Sequence, residues 1–492
     1  MRGRLRDALI ALALSGAFAL VFFIFNTPLG PSIGSDNAMY LTMGTALARG
    51  HAPYTQIFDH KGPLLFLIET LPQLFFGGYQ TVTVFILEWL FLFGCLLAIG
   101  DLCDRLGVRA AWVLQLCYLA LFAPCAGGGN LSEEYANLFT LLGLCLMLRA
   151  FGGEKVQKRL FLPATGVGLL ATLCFLTRAN NALPLLGASA GLCVYLAVKR
   201  SFPQLGACAL GCLCGCLIAL LPTALWLQRR GALGEAIYGA ILHNLMYAGA
   251  EGGSRMAMLL GSSYGALALL MAGLAALGAM AAFARTRRAA VSLAMLAGAV
   301  AALVAAFVSH KFYQHYLTLG APLAVLGVAQ ALTLLRERRP AVLRAAIAAI
   351  ALVCCAGLGV QGRAANAQRL SEREGLEAFS ADAQALYAQV PEEGRDFFMA
   401  YRVEPRWYVA SKALPCMRFY FLQEMLAQVD PRVMDEIVET FESDPPQWLV
   451  IFYDRSFDPP YDPRVQEIFE TKYAFVDARG EYQLLRLTDT QN

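Results

Sequence analysis

Side chains able to do chemistry are gathered into a few short stretches of this chain, each at the edge of a long apolar run. The first stretch holds Asp36, within Ile33-Gly34-Ser35-Asp36-Asn37-Ala38-Met39-Tyr40, and closes on Phe58-Asp59-His60-Lys61-Gly62-Pro63-Leu64. The second is Gly127-Gly128-Gly129-Asn130-Leu131-Ser132-Glu133-Glu134-Tyr135, and the third is Thr177-Arg178-Ala179-Asn180-Asn181. The fourth is Ser309-His310-Lys311-Phe312-Tyr313-Gln314-His315-Tyr316. Carboxylates so placed can take a proton from a hydroxyl or orient it, while ammonium, guanidinium and imidazole groups can hold an anion whose charge grows as a bond breaks.

Each stretch also has a plain structural explanation. Ser35-Asp36 precedes a helical run, and Asp is a favoured helix N-cap. Asp59-His60-Lys61 leads into Gly62-Pro63, and Pro suits the first turn of a helix, whose start favours anions. Ser132-Glu133-Glu134 reads as an ordinary helix start. Arg178 lies at the end of an apolar run, where such residues commonly snorkel to the interface, and Phe312, Tyr313 and Tyr316 suit an aromatic belt. Glu88 stands apart, inside an otherwise apolar run, and an intramembrane carboxylate is a functional suspect by default.

The elements that must position these groups are membrane spans. With 58% hydrophobic and 15% charged residues, the chain cannot be wrapped into one soluble globule of this length. A basic start, Met1-Arg2-Gly3-Arg4-Leu5-Arg6, leads into an apolar run from Ala8 to Phe25 without a small-residue cleavage site, which reads as an uncleaved anchor. Further apolar runs lie near 82 to 100, 111 to 126, 135 to 150, 160 to 176, 182 to 198, 204 to 226, 257 to 283, 289 to 308, 317 to 335 and 341 to 360. Together they make about eleven crossings of roughly 20 residues each. Pro63 to Phe76, at about 14 residues, has the length of an interfacial or re-entrant helix.

Alternate loops carry Arg105/Arg109, Lys155/Lys158/Arg159, Lys199/Arg200, Arg285/Arg287/Arg288 and Arg336/Arg338/Arg339/Arg344, so the positive-inside rule puts the amino terminus inside. All five histidines, His51, His60, His243, His310 and His315, then fall on outward segments with Asp36, Asp59, Glu133, Glu134 and Arg178. Any chemistry is therefore extracytoplasmic. The loop Gln228 to Met256 contains an amphipathic run, Leu233 to Tyr247, suited to the outer membrane surface.

From about Arg363 charges become frequent and apolar runs shrink to strand length, predicting domains at 1–362 and 363–492. The second is a small α/β unit of about 120 residues. Strands are expected at Phe397 to Tyr401, Trp448 to Tyr453, Tyr473 to Val476 and Tyr482 to Leu487, with a turn at Arg479-Gly480 and helices at Glu374 to Gln389, Phe421 to Ala427 and Pro431 to Glu442. Most of the 14 cysteines sit in apolar runs as small hydrophobes, only Cys125 and Cys416 being placed to face outward, and neither a disulfide framework nor a zinc spacing is present.

Asp36, the helix-like run Asn37 to Arg49, Gly50-His51-Ala52-Pro53-Tyr54 and Asp59-His60-Lys61-Gly62-Pro63 resemble the first external loop of GT-C superfamily glycosyltransferases. The nearest look-alikes are protein O-mannosyltransferases, of glycosyltransferase family 39, and lipid A aminoarabinose transferases. Arg178-x-Asn-Asn before a span and the His315-Tyr316 pair before a late helix extend the resemblance over roughly the first 360 residues. It implies a polytopic α-helical GT-C-like membrane protein with a C-terminal extracytoplasmic α/β domain. It also implies transfer of a sugar from a polyprenyl-phosphate donor to a hydroxyl on a glycan, lipid or protein acceptor, with inversion.

The resemblance carries the catalytic aspartate to Asp36, and an acceptor- or metal-orienting acid to Glu133 or Glu134, with Asp59. Binding of the donor phosphate falls to His60, Lys61, Arg178, Lys311 and His315. It calls for no redox cofactor; the acidic loop residues are compatible with a divalent cation but lack a diagnostic spacing. The implied home is the bacterial cytoplasmic membrane, with membrane lipid and no nucleic acid among the partners. Two other classes stay open: a lipid or sugar transporter using Glu88 as coupling group, against which stand the lack of an internal repeat and of paired interrupted helices, and a non-catalytic membrane scaffold.

Overall fold

The computed structural model describes residues 2–30, 34–152, 159–249, 254–286, 289–308, 312–452 and 461–488. In chain order α1 (Arg2–Phe22), α2 (Ser35–Ala48) and α3 (Pro63–Phe76) are followed by α4 (Thr81–Leu106), α5 (Ala111–Phe122), α6 (Ser132–Phe151), α7 (Phe161–Thr177), α8 (Leu183–Val198) and α9 (Phe202–Arg229). Then come α10 (Leu233–Ile237), α11 (Asn244–Gly249), α12 (Arg255–Gly261), α13 (Ser263–Thr286), α14 (Ala289–Phe307), α15 (Ala321–Arg338) and α16 (Pro340–Tyr387). The last part runs β1 (Phe398–Tyr401), α17 (Arg406–Ser411), α18 (Gln423–Val429), α19 (Arg432–Ser443), β2 (Trp448–Phe452), α20 (Pro463–Lys472), β3 (Tyr473–Arg479) and β4 (Tyr482–Leu487).

Among the described residues nine helices are long and apolar enough to cross a membrane, and the shorter apolar segments Ala111–Cys125 and Phe161–Thr177 match two more of the expected runs. Pro63–Phe76 is one helix of 14 residues, as the interfacial reading requires. The run expected at 257 to 283 is broken: Ser262 is extended and its hydroxyl accepts the Gly265 N–H at 3.0 Å, so α12 ends and α13 is capped there. The run at 341 to 360 and the helix at 374 to 389 are instead one 48-residue helix, α16. Pro340 at its first turn starts it, and the Ala-, Glu-, Gln- and Arg-rich residues that follow offer no stop. The boundary expected at 363 therefore falls inside a continuous helix. Lys155, Lys158, Arg287, Arg288, His310 and Lys311 lie outside the described residues.

The chain divides into two compact units. Unit 1 comprises residues 1–29, 85–225 and 251–368; unit 2 comprises 30–84, 226–250 and 369–492. Unit 1 is a helical bundle in which α8 packs on α14, α13 on α15 and α6 on α7. Small residues let these backbones touch: a methyl on Gly278 would overlap Gly327, and one on Gly191 would overlap the Leu293 carbonyl. Glu88 is explained here. It is 2% exposed and accepts the Asn26 amide at 2.9 Å and the Asn130 backbone N–H. Gly127, Gly128 and Gly129 all have positive φ, and a Cβ on Gly129 would lie 2.6 Å from Glu88 Oε1, so the glycine run exists to bring backbone against this carboxylate.

Unit 2 gathers the first loop, the segment 226–250 and the carboxy-terminal residues. α2 packs on α3, and a Cβ on Gly44 would lie 2.6 Å from the Glu69 carbonyl oxygen. Its sheet has the order β1-β2-β4-β3, with β1 parallel to β2 and the other neighbours antiparallel. Phe398 stacks on Trp407 at 5.2 Å beside it. The expected turn at Arg479-Gly480 is present, Gly480 having φ 53°. The helices α17 and α20, which the sequence reading did not anticipate, are 6 and 10 residues long. All 14 cysteines are free thiols; Cys125 is buried and Cys416 exposed.

Candidate functional site

In unit 2, Asp36 occupies the first turn of α2, but it is not the cap: Gly34 holds that position and no side-chain cap bond forms. Asp36 is partly exposed, and among the described residues its carboxylate makes no hydrogen bond or ion pair. The helix dipole favours a negative charge there.

At the far end of the same loop the chain packs an acid, an imidazole and an ammonium together. Asp59 is 1% exposed; its Oδ1 accepts the Lys61 backbone N–H at 3.1 Å and lies 3.2 Å from His60 Nδ1 and 3.7 Å from Lys61 Nζ. Lys61 Nζ is 3.2 Å from His60 Nε2. An ammonium can only donate, so Nε2 accepts and the ring proton sits on Nδ1, facing Asp59. Burial pushes the Asp59 carboxyl above its ordinary range, Lys61 pulls it down, and Asp36 adds a further push upward.

The loop is fixed from several sides within unit 2. Tyr54, in the left-handed region at φ 64°, donates its hydroxyl to the Lys61 carbonyl at 2.7 Å. The Phe58 N–H donates to the Arg418 carbonyl at 2.9 Å, and Asn244 donates to the His60 carbonyl at 2.7 Å. Arg418 forms ion pairs with Glu436 at 3.0 Å and with Glu235, and its guanidinium lies 5.3 Å from the Phe58 ring centre. Between α10 and α11 the helix widens to a π-turn at Tyr238–His243, a distortion frequent at functional sites. It brings the His243 ring 5.8 Å from that of His60. His243 is 1% exposed and neither ring nitrogen has a hydrogen-bond partner among the described residues. Burial holds its pKa below the ordinary imidazole value, with Asp430 opposing.

Unit 1 carries a second polar group. Arg178, 11% exposed at its side chain, donates to Glu133 Oε1 at 3.3 Å and to the Tyr316 hydroxyl at 2.7 Å. It does not snorkel. Ser132 donates to Glu133 Oε2 at 3.0 Å, and Asn181 donates to the Ser132 hydroxyl at 3.3 Å. Tyr316, 2% exposed, meets His315 edge to face at 4.6 Å, so it is part of this network rather than an aromatic-belt anchor. Glu134 is 7% exposed on the same first turn of α6.

The expected site residues thus fall into two sets: Asp36, Asp59, His60 and Lys61 in unit 2, and Glu133, Glu134, Arg178 and His315 in unit 1. Lys311 lies outside the described residues. Sequence reasoning did not single out Asn244 or Arg418, whose partners His60, Phe58 and Glu235 are remote in the chain; Tyr54 and Asn181 entered only as parts of longer motifs, and His243 carried a signal as a histidine on an amphipathic run. Among the described residues no group of three or more His, Cys, Asp or Glu side chains is arranged to hold a metal ion. Asp59 meets His60 and Lys61, and Glu133 meets Arg178 and the Ser132 hydroxyl.

No protein-family model and no curated protein matches the sequence. Solved structures do. ArnT from Cupriavidus metallidurans bound to undecaprenyl phosphate superposes with a TM-score of 0.63 at 14% identity, over 97% of this chain and 98% of that one. The Archaeoglobus fulgidus oligosaccharyltransferase in its apo form gives 0.54 at 13% identity, over 91% of this chain and 69% of that one. The archaeal oligosaccharyltransferase AglB from Archaeoglobus fulgidus, in complex with an inhibitory peptide and a dolichol-phosphate, gives 0.51 at 13% identity with the same coverage. Likeness at such identities is one of fold.

Proposed function

We propose that this chain, a multi-pass membrane protein with the GT-C fold, is a glycosyltransferase that moves a sugar from a polyprenyl-phosphate carrier to an acceptor hydroxyl. The observation that carries the reading is the first loop of unit 2, which holds an unbonded carboxylate, Asp36, at one end and a buried ammonium, Lys61, at the other. The fold it shares with ArnT bound to undecaprenyl phosphate supports it.

In this mechanism the acceptor oxygen attacks the anomeric carbon as the bond from that carbon to the phosphate oxygen breaks. The transition state is oxocarbenium-like, and a single displacement inverts the configuration. Asp36 takes the acceptor proton as general base; the departing phosphate keeps the bonding electron pair, and Lys61 neutralises its charge. Asp59 and His60 position the Lys61 ammonium. Within unit 1, Glu133 fixes the Arg178 fork. The reaction takes place on the extracytoplasmic face of the bacterial cytoplasmic membrane, the amino terminus being inside, and the carboxy-terminal α/β residues help select the acceptor.

The test is sugar transfer from a panel of polyprenyl-phosphate sugars in proteoliposomes, comparing wild type with a normally folded Asp36→Asn variant. Turnover abolished in the variant with carrier binding retained is the expected result. Full turnover in the variant removes Asp36 from the chemistry, and no turnover by wild type on any donor overturns the assignment.

A further inference from the structure

Unit 2 contains a cavity of about 1040 Å³ that none of the proposed catalytic residues lines. Its wall holds four basic side chains, Arg49, Arg395, Lys412 and Arg418, against two acids, Glu392 and Asp396. Arg418 is neutralised by Glu235 and Glu436. Arg49, Arg395 and Lys412 are exposed and form no ion pair among the described residues; Arg395 lies 5.4 Å from the Tyr387 ring centre. His51, also on the wall, has Nδ1 3.1 Å from the Ala46 carbonyl, so Nδ1 donates and Nε2 is left for a ligand.

Two further features narrow the occupant. Lys412 ends α17 in the left-handed region at φ 61°, a place where glycine is usual, so a long cation is held where the backbone would favour no side chain. Also in unit 2, the end of α3 exposes Phe75 at 77% and Phe76 at 64%, with Leu71 and Leu74 beside them. Such an apolar edge suits acyl chains or a bilayer surface. Tyr79 ties that edge to the cavity wall: its N–H donates to Thr45, one helical turn before Arg49, at 3.1 Å, and its hydroxyl donates to the carbonyl of Ala413, next to Lys412. Cations without ion-pair partners among the described residues, facing a chamber of about 1040 Å³ bordered by exposed aromatic rings, match an anionic amphiphile rather than a neutral sugar.

We propose that unit 2 carries a second anion site, separate from Lys61, that takes the phosphate-bearing headgroup of an anionic membrane lipid. The phosphate lies against Arg49 and Lys412, and the lipid's apolar part lies along Phe75 and Phe76. This goes beyond the transfer reaction and stands or falls independently of it.

The test is binding of dioctanoyl phosphatidic acid to the full-length detergent-solubilised protein, with dioctanoyl phosphatidylcholine, glycerol 3-phosphate and inorganic phosphate as comparison probes. Phosphatidic acid is expected to bind well above the other three. Arg49→Gln with Lys412→Gly is expected to weaken it about 25-fold, about fivefold per cation. Glycine suits the left-handed backbone at 412, and an unchanged unfolding midpoint certifies the fold; Arg49→Gln alone, expected to weaken binding about fivefold, is the second variant should the first not fold. The Asp59→Asn/Lys61→Met double variant is expected to bind normally, and loss there makes the two sites one and overturns the proposal. Unchanged binding in the folded cation variants overturns it as well, and glycerol 3-phosphate binding as tightly as phosphatidic acid overturns the lipid assignment.

Discussion

The Asp59–Lys61 pair admits a quantitative test. Both side chains are nearly sealed, at 0% and 6% exposure, with Nζ 3.7 Å from Oδ1. At an effective dielectric of about 20, unit charges at that separation attract by about 4.5 kcal/mol, against which stands the cost of desolvating both. Asp59→Asn leaves a buried ammonium without its counter-charge, and removing one partner of such a pair costs about 3–5 kcal/mol. Lys61→Met costs less, because burial pushes the stranded carboxyl upward and, without the Lys61 charge to oppose it, the group can take up a proton and become neutral. The double variant removes both charges together. Its loss is expected to fall short of the sum of the singles by about 1.5–3 kcal/mol. Denaturant or thermal unfolding of the detergent-solubilised protein reads the stability cycle, and carrier-phosphate binding by Asp59→Asn reads whether the ammonium is still presented. Additive losses, with a coupling below about 0.5 kcal/mol, would refute the idea that Asp59 positions Lys61 through charge.

Other expectations bear on the fold. Gly278→Ala must push α13 away from Gly327 and is expected to cost about 1–3 kcal/mol, whereas Gly273→Ala, with nothing within 4 Å of its Cβ, is expected to be neutral or stabilising by up to about 1 kcal/mol; equal unfolding midpoints for the two would contradict the packing. Glu88→Gln leaves the Asn26 amide and Asn130 N–H with a poorer acceptor and is expected to lower stability by about 1–3 kcal/mol. Unchanged unfolding in that variant would return Glu88 to the functional suspects. Because burial lowers the His243 pKa below 6.5, its contribution is full above that pH and is lost as the pH falls through the folded value. Acidification from neutrality should therefore destabilise unit 2 by at most about 1.4 kcal/mol per pH unit through this one group. His243→Phe should flatten the slope, and a variant with the wild-type slope would exclude His243 as its source.

Hydrophobic run length and turn chemistry made the long apolar helices, the short helix α3 and all four strands legible in the sequence. Each is a local property: about 20 apolar residues match a bilayer's thickness, Gly62-Pro63 starts a helix, and Arg479-Gly480 turns a hairpin. Where local signals competed with neighbours the reading slipped, as at Ser262, whose hydroxyl ends one helix and caps the next, and in α16, where nothing in the sequence stops a span from running on through residue 387.

The chain's amino acids by themselves determined which side chains could do chemistry, because Asp36, Asp59, His60, Lys61, Glu133 and Arg178 are ionisable groups stranded among apolar runs, and the cost of burying charge leaves few of them. Only the tertiary structure decided what each one meets. Asp36 is free of a cap bond, Asp59 and His60 converge on Lys61, Arg178 reaches Tyr316 across 138 positions, and Glu88 is bound to a glycine turn. Hydrogen bonds and ion pairs act over a few ångströms, so partners remote in the chain leave no mark on local composition until folding brings them within that range.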